Sequence, residues 1–369
     1  MLDVALDTGG AALSVHSDFC HEVTVIRQNR PVAEPSWRNR KTLILGRTDM
    51  MGLLTPLEYV DCVEHAFRMH GLGRVYMEPK GHIVLDRYQG EWEVMPSYIE
   101  EPEAAACKWV SIREDNARYE LPAVFSILIY THPETGFPLA ICDGSYHTLM
   151  RTGASAAVSA RWLARKDSKV LAILGTGSVG EGTLATCDAV FSWNDVRIWS
   201  RTQTSVDRFL ASESPKYPHV RLTGTTDVRT AVEGADVIVT GTHARTWLID
   251  DAWVKPGAHL AALGADLKGE QELDPRILQR GRVFVDDIRQ CREDGEINVA
   301  LAEGLITEAD LAGEIGKVIA GELEGRQSDD QVTVFDSTGI ALQDSATVPL
   351  EVERAYAAGV GIEKKMIST

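Results

Sequence analysis

Two patterns of apolar residues divide the chain. From Thr42 to about residue 150, short apolar runs alternate with polar breaks: TLIL from 42, HIVL at 82–85, CKWVSI at 107–112 and VFSILIY at 124–130. Short runs rich in β-branched and aromatic residues predict strands. Between the first two lies a helical periodicity. Thr55 suits its N-cap, Pro56 its first position and Glu58 its first turn, and Gly71 ends it. THPETGFPLA, from 131 to 140, reads as a turn built on Pro133 and Gly136. Residues 42–150 thus predict an α+β unit around an antiparallel sheet.

At about residue 151 the pattern changes. RTGASAAVSARWLARKD is an Ala-rich helix, and apolar strands then alternate with helical segments. KVLAILG (169–175) is almost wholly apolar, as a parallel strand covered on both faces must be. DVRIWSR (195–201), ADVIVTGT (235–242), HLAALGA (259–265) and RVFVDD (282–287) repeat the theme. Helices or turns are expected around 180–190, 203–212, 227–234 and 247–256. This alternation predicts a doubly wound, Rossmann-type α/β sheet over 151–330. The tail from 331 to 369, with VTVFDS and a helix at 341–358, is expected to pack back on the first unit. Residues 1–41 lack clear periodicity and read as an N-terminal extension.

Glycine placement adds chemistry. Gly175, Gly177 and Gly180, with Ser178 and Val179 between the last two, form G-x-G-x-x-G directly after an apolar strand and at the start of a helix. In that context the motif predicts a dinucleotide pyrophosphate on the helix N-terminus. An NAD site usually carries an acid about twenty residues later, for the ribose 2′-hydroxyl. This chain has Ser200-Arg201-Thr202 instead. A guanidinium flanked by two hydroxyls suits a 2′-phosphate, so NADP(H) is favoured over NAD(H). Thr242, at the end of ADVIVTGT, joins the candidate cofactor contacts.

Charge and cysteine usage narrow the partners. The formal net charge of −17 argues against nucleic acid or an anionic membrane as the main partner. The six cysteines are scattered without C-x-x-C or zinc-ligand spacing, so reduced thiols and a cytoplasmic location are expected. No secretory signal or membrane-spanning run is apparent.

Taken with their flanking stretches, these motifs resemble the ornithine cyclodeaminase/mu-crystallin family from about residue 43 to 350. The matching segments are MPSYI at 95–99, CKWVSI with Asn116 after it, ETGFPLAICDG at 134–144, TLMRTGASAAVSARWLAR at 148–165, LGTGSVG at 174–180, GAD at 264–266 with EL at 272–273, and RQSDDQVTVFDSTG at 326–339. The resemblance implies a homodimer, and a substrate-binding and dimerisation domain built from 42–150 together with 331–369. It also implies that Lys80 and Arg151 bind a substrate carboxylate, that Lys108 is the active-site lysine and Asp266 the catalytic acid, that Asn116 lines the substrate site, and that Ser337 contacts nicotinamide. Three positions depart from the family pattern. Lys80 stands for the usual Arg, Val179 for Gln in the glycine loop, and Glu270 where a Lys often follows the GAD turn.

The residue types suit the implied chemistry. Hydride transfer between nicotinamide and an amino or imino acid needs cations for the carboxylate, a group to manage the nitrogen's protons, and a dry pocket. Arg151 and Lys80 can serve the first, Asp266 the second, and Lys108 can polarise the substrate. Simpler roles compete: Arg151 pairing with Asp143, Lys108 snorkelling beside Trp109, and Asp266 closing an Asx-turn. His132, His147 and His243 are acid–base candidates that spacing alone does not rank. The leading expectation is an NAD(P)-dependent amino-acid dehydrogenase or imino-acid reductase acting on a small amino or imino acid. A cyclodeaminase with catalytic NAD and a non-catalytic, crystallin-like NADPH binder are the alternatives.

Overall fold

A computed structural model describes residues 37–367. The N-terminal extension therefore lies almost wholly outside the described residues, as does Cys20. Within residues 1–40, Trp37–Asn39 form a single 3-10 turn, with the Arg40 guanidinium 4.5 Å over the Trp37 ring.

Among the described residues, sixteen strands build two eight-stranded sheets. The strands in chain order are β1 (Thr42–Leu45), β2 (Val75–Met77), β3 (Gly81–Leu85), β4 (Gly90–Ile99), β5 (Ala104–Arg113), β6 (Val124–Thr131), β7 (Pro138–Asp143) and β8 (Val170–Leu174). They continue with β9 (Asp195–Trp199), β10 (Arg221–Thr225), β11 (Val237–Thr240), β12 (His259–Ala262), β13 (Arg282–Val285), β14 (Leu311–Glu314), β15 (Thr333–Asp336) and β16 (Ile362–Lys364). The first sheet runs β16-β1-β7-β6-β5-β4-β2, with β3 also on β4. It is antiparallel except for the β1–β7 pair. The second runs β10-β9-β8-β11-β12-β15-β13-β14 and is parallel throughout. Its order reverses between β8 and β11, the switch point beyond whose carboxyl ends doubly wound folds bind ligands.

The helix starting at Thr55 forms as expected, over Pro56–Gly71. The Thr55 hydroxyl accepts from the Glu58 N–H at 3.3 Å, and the Glu58 carboxylate accepts from the Thr55 N–H at 2.8 Å, a reciprocal cap. The helix runs through Gly71, and the left-handed residue that turns the chain is Gly73, with φ 68°. The helix buries Tyr59, Val60, Val63, Ala66 and Phe67, and Phe67 meets Phe335 of β15 edge to face at 6.0 Å. One apolar cluster thereby spans both sheets. Each fully buried Leu or Phe in it contributes about 1.5–3 kcal/mol.

Several elements differ from expectation. β15 carries VTVFDS, expected in the returning tail, yet it pairs between β12 and β13 inside the parallel sheet. Four buried side chains in a row, Thr333 to Asp336, mark it as a strand covered on both faces. The Ala-rich helix begins earlier, spanning Gly144–Leu163, because Asp143 caps it by accepting from the Ser145 and Tyr146 N–H groups. A single helix therefore runs through position 151. It crosses the helix Ser178–Asp188 glycine to glycine, since a Cβ on Gly153 would overlap the Gly182 backbone. The close crossing fixes the glycine loop's helix against the one carrying Arg151. The helix Ala341–Ala358 forms where expected and packs Val348, Val352 and Ala355 against Leu43, Leu45 and Leu128 of the antiparallel sheet.

Candidate active site

The carboxyl edge of the parallel sheet faces the inner surface of the antiparallel sheet through residues from six elements. Lys108 is central to β5, opposite Met95 and Leu128, and is wholly buried. Its ammonium lies 3.1 Å from the Asp344 carboxylate on the helix Ala341–Ala358. The same carboxylate oxygen is 3.0 Å from His147 Nε2 and 3.4 Å from Arg151 Nε. His147 and Arg151 stand four residues apart on one face of the helix Gly144–Leu163. Arg151 also donates to Gln343 Oε1 at 3.0 Å. Its guanidinium passes over Gly339, where φ is 74° and a Cβ would overlap it. The pairing with Asp143 weighed from sequence does not form; Asp143 caps the helix instead.

Behind this cluster His147 Nδ1 sits 2.7 Å from Glu351, which also accepts from the Tyr59 hydroxyl at 2.6 Å. Burial alone would strip the proton from His147, but Glu351 and Asp344 outweigh it and lift its pKa to about 9. Burial pushes the Lys108 ammonium down to about 8, aided by the Arg151 charge and opposed by Asp344. For Asp344, burial raises the pKa but is overcome by Lys108, Arg151 and His147, which hold it well below the usual carboxylate range.

Lys80 lies between β2 and β3, and its side chain is only 5% exposed. Its backbone N–H donates to Gln290 Oε1 at 3.0 Å, and Gln290 in turn donates to the Thr338 hydroxyl at 2.9 Å. Burial lowers the Lys80 pKa, but the nearby Glu93 and Asp266 carboxylates outweigh it and raise it on balance. The Lys80 ammonium is 3.9 Å from Glu93, whose Oε1 is buried without a hydrogen bond. Asp266, on the loop after β12, faces this pair. Burial lifts its pKa to about 6, against the pull of Lys80 and with help from Glu93. Lys80, Lys108, Arg151 and Asp266 therefore converge.

The candidate cofactor residues lie along the same edge. Gly175 adopts φ 132°, and a Cβ there would stand 2.7 Å from the Gly241 carbonyl oxygen; a Cβ on Gly180 would overlap the Gly175 carbonyl. Both glycines are thus required by the turn. At Gly177 the space is open, and the helix Ser178–Asp188 has no side-chain cap, so its first N–H groups remain available to an anion. Val179 packs against Gly241. Ser200 accepts from the Thr176 hydroxyl at 3.2 Å, and Arg201 is exposed. Thr202 is engaged as the N-cap of the helix Gln203–Glu213. Thr242 gives its N–H and its hydroxyl to Glu272, each at 2.7 Å. Ser337 donates to Asp286 at 2.8 Å.

Asn116 stands apart from the rest. Its amide donates to the Pro122 carbonyl at 2.9 Å, holding its own loop, and no hydrogen bond among the described residues ties it to the cluster.

Sequence reasoning missed Asp344, Glu351 and Glu93. Two signals were available. Asp344 and Glu351 lie seven residues apart on the buried face of one helix, and Glu93 shares the inward face of β4 with Met95. It also missed a line of buried acids beneath the edge. Glu272 accepts from the Gly264 N–H, Glu296 from the Glu272 and Leu273 N–H groups, and Asp336 from the Glu296 and Ile297 N–H groups.

The model of the ornithine cyclodeaminase/mu-crystallin family matches residues 40–358. An alanine dehydrogenase of Archaeoglobus fulgidus is 36% identical over 326 residues, 88% of this chain and 98% of that protein. Among solved structures, an archaeal alanine dehydrogenase dimer with bound NAD superposes with a TM-score of 0.84 at 36% identity, covering 89% of this chain and all of that one. The Δ1-pyrroline-2-carboxylate reductase of Thermococcus litoralis, in complex with NADH and L-proline, gives a TM-score of 0.84 at 30% identity over 87% of this chain and 99% of that one. With a family model covering most of its length and relatives matched nearly end to end, the chain belongs to the ornithine cyclodeaminase/mu-crystallin family.

Proposed function

We propose that the chain is an NAD(P)-dependent oxidoreductase acting on the C–N bond of a small amino or imino acid, as an amino-acid dehydrogenase or an imino-acid reductase. The observation that carries this reading is the convergence of three cations and one acid of raised pKa beside the uncapped helix of the glycine loop. In this division the parallel sheet is the nucleotide half. The antiparallel sheet with the helix Ala341–Ala358 is the substrate half.

The cofactor fits the turn, because Gly177 leaves room for it and the helix start offers free N–H groups. When bound, it supplies the acceptor or donor of hydride. Arg151, Lys108 and Lys80 then hold the substrate carboxylate, and Lys108 polarises it. Asp344 keeps the first two cations in place. Asp266 takes the proton from the substrate nitrogen in oxidation and returns it in reduction. Its raised pKa suits both tasks near neutral pH.

NADP(H) is the nucleotide favoured here, because Arg201 is exposed beyond β9 where an NAD site would carry an acid. The test is loss of absorbance at 340 nm with NADPH or NADH, ammonia or methylamine, and a panel of small 2-oxo acids and cyclic imino acids. Turnover with NADPH preferred is expected, and Arg201→Ala should lower that preference about tenfold or more. Silence across the panel would rule the reading out.

One observation favours a second reading, a cyclodeaminase. Glu93 Oε1, 3.9 Å from Lys80 and without a hydrogen bond, can accept one from a second ammonium on a diamino acid. Ammonia release from ornithine or lysine without net nucleotide change would support that alternative.

The reading includes a homodimer. On the outer face of the antiparallel sheet, Trp109, Ile127 and Ile129 are 40%, 47% and 37% exposed, with the Trp92 ring tilted against Trp109 at 5.6 Å. An apolar face of this kind is uncommon on a monomer. A second copy is the occupant proposed, in keeping with the archaeal alanine dehydrogenase dimer. Sedimentation at twice the 40.5 kDa chain mass is expected, with Ile127→Asp shifting the protein to monomer. A monomeric native protein would exclude it.

A further inference from the structure

Three wholly buried polar side chains, Tyr59, His147 and Glu351, stand behind Asp344, and no step of the hydride transfer uses them. The His147 ring meets a carboxylate at each nitrogen: Nδ1 lies 2.7 Å from Glu351 Oε2, and Nε2 lies 3.0 Å from Asp344 Oδ1. A neutral imidazole has one N–H and one lone pair, so one of these carboxylates would then face a lone pair. Both already accept from other donors. Glu351 Oε1 takes the Tyr59 hydroxyl at 2.6 Å, and Asp344 Oδ1 takes the Lys108 ammonium at 3.1 Å. The ring therefore carries both protons. Burial opposes that charge, but the two carboxylates prevail and hold the pKa at about 9.

Lys108, His147 and Arg151 all face the same oxygen of Asp344, while Asp344 Oδ2 is buried without a hydrogen bond. Arg151 Nε, 3.4 Å from the shared oxygen, makes no hydrogen bond either. Near neutral pH, Lys108, Arg151 and His147 thus bring three positive charges against the two negative ones of Asp344 and Glu351. We propose that His147 is a positioning residue for the substrate carboxylate: its imidazolium takes up part of the Asp344 charge that would otherwise neutralise Lys108 and Arg151, and so leaves those two cations free to meet an anion. This rests on the reading of Arg151 and Lys108 as carboxylate binders.

Each partner has a separate task. Glu351 keeps the ring charged, and the Tyr59 hydroxyl holds Glu351. His147 itself stands one helical turn from Arg151, so a single helix carries both the carboxylate binder and the group that frees it. Removing the ring's charge alone would leave two cations facing two anions, with no surplus for a substrate. Removing the charges of His147 and Glu351 together would restore the surplus, since that pair is neutral as a whole. Lys80, Glu93 and Asp266 keep their charges in either case.

The test uses the full-length protein and the member of the 2-oxo and imino acid panel that it turns over fastest. His147→Gln removes the charge and keeps an N–H donor. It should raise KM for that acid about tenfold or more, with kcat within a factor of about three and KM for nucleotide unchanged. Adding Glu351→Gln should bring KM back to within about threefold of the native value. A ring that only fills space or braces its helix predicts the opposite, because the second substitution then adds to the damage. An unchanged KM in the single variant, or a double variant no better than the single, overturns the proposal while leaving the reaction intact. Nitrogen-15 spectra read the ring itself. The native protein at pH 7 should show both nitrogens protonated, in a signal that either variant lacks, and a singly protonated ring overturns the proposal. A native protein that turns over no member of the panel overturns the reaction, and the proposal with it.

Discussion

Asp344→Ala is expected to destabilise the protein by about 3–5 kcal/mol, a large share of the stability of an ordinary domain. The reason is charge. One buried carboxylate oxygen gathers Lys108, His147 and Arg151 within 3.4 Å, and Lys108 and His147 are wholly buried. Glu351 can retain His147, but Lys108 and Arg151 would lose the anion that compensates them. Desolvated cations without a partner either shed a proton or draw water into the core, and both cost folding free energy. Urea unfolding of the variant measures the loss. A change below about 1 kcal/mol would mean that the cations find other partners, and that Asp344 does not organise the site. What soluble variant remains should bind a substrate carboxylate poorly, because Arg151 and Lys108 are no longer held together.

The second large effect concerns chemistry. Asp266→Asn should lower kcat by about 10²–10⁴-fold while nucleotide affinity stays within a factor of about two. Stability should be unchanged or slightly higher, since an amide replaces a carboxylate whose ionised form burial already disfavours. The pH profile separates this role from a merely structural one. With its pKa raised to about 6, Asp266 is a carboxylate above that pH and a carboxylic acid below it. Oxidation requires the carboxylate, so its rate should fall as pH drops through about 6 in the native enzyme. The Asn variant should lack that limb. A variant keeping more than about a tenth of native kcat would assign the proton to another group.

Much of the parallel sheet was legible from single segments. β8, β11 and β12 are short, apolar and followed by glycine, so composition and punctuation sufficed. β10 and β14 were missed because RLTGT and LAGE contain glycine and polar residues and lie at the sheet edges, where burial is partial. β4 was hidden by Pro96, which sits in mid-strand opposite Cys107. VTVFDS reads as a strand, but only long-range pairing decides that β15 enters the parallel sheet between β12 and β13.

The site shows the same division. The glycine loop is local and was readable as a motif. Lys80, Lys108, Arg151 and Asp266 were singled out through family resemblance, not through any spacing that brings them together. Asp344, 236 residues beyond Lys108, reaches it only through tertiary packing. Thr202, Thr242 and Ser337 each have a protein partner that no local motif announces, because caps and buried carboxylates also need donors.

Isotope tracing distinguishes hydride transfer to a C–N centre from every other use of the nucleotide. The native protein would be incubated with ammonia, the 2-oxo acid panel and NADPH or NADH deuterated at C4, on each face in turn. Mass spectrometry would then read the amino acids formed. One deuterium is expected at the α-carbon of a product, from one face only, matched by an equal amount of oxidised nucleotide. Amino or cyclic imino acid products without deuterium, or no product from any member of the panel, would contradict it.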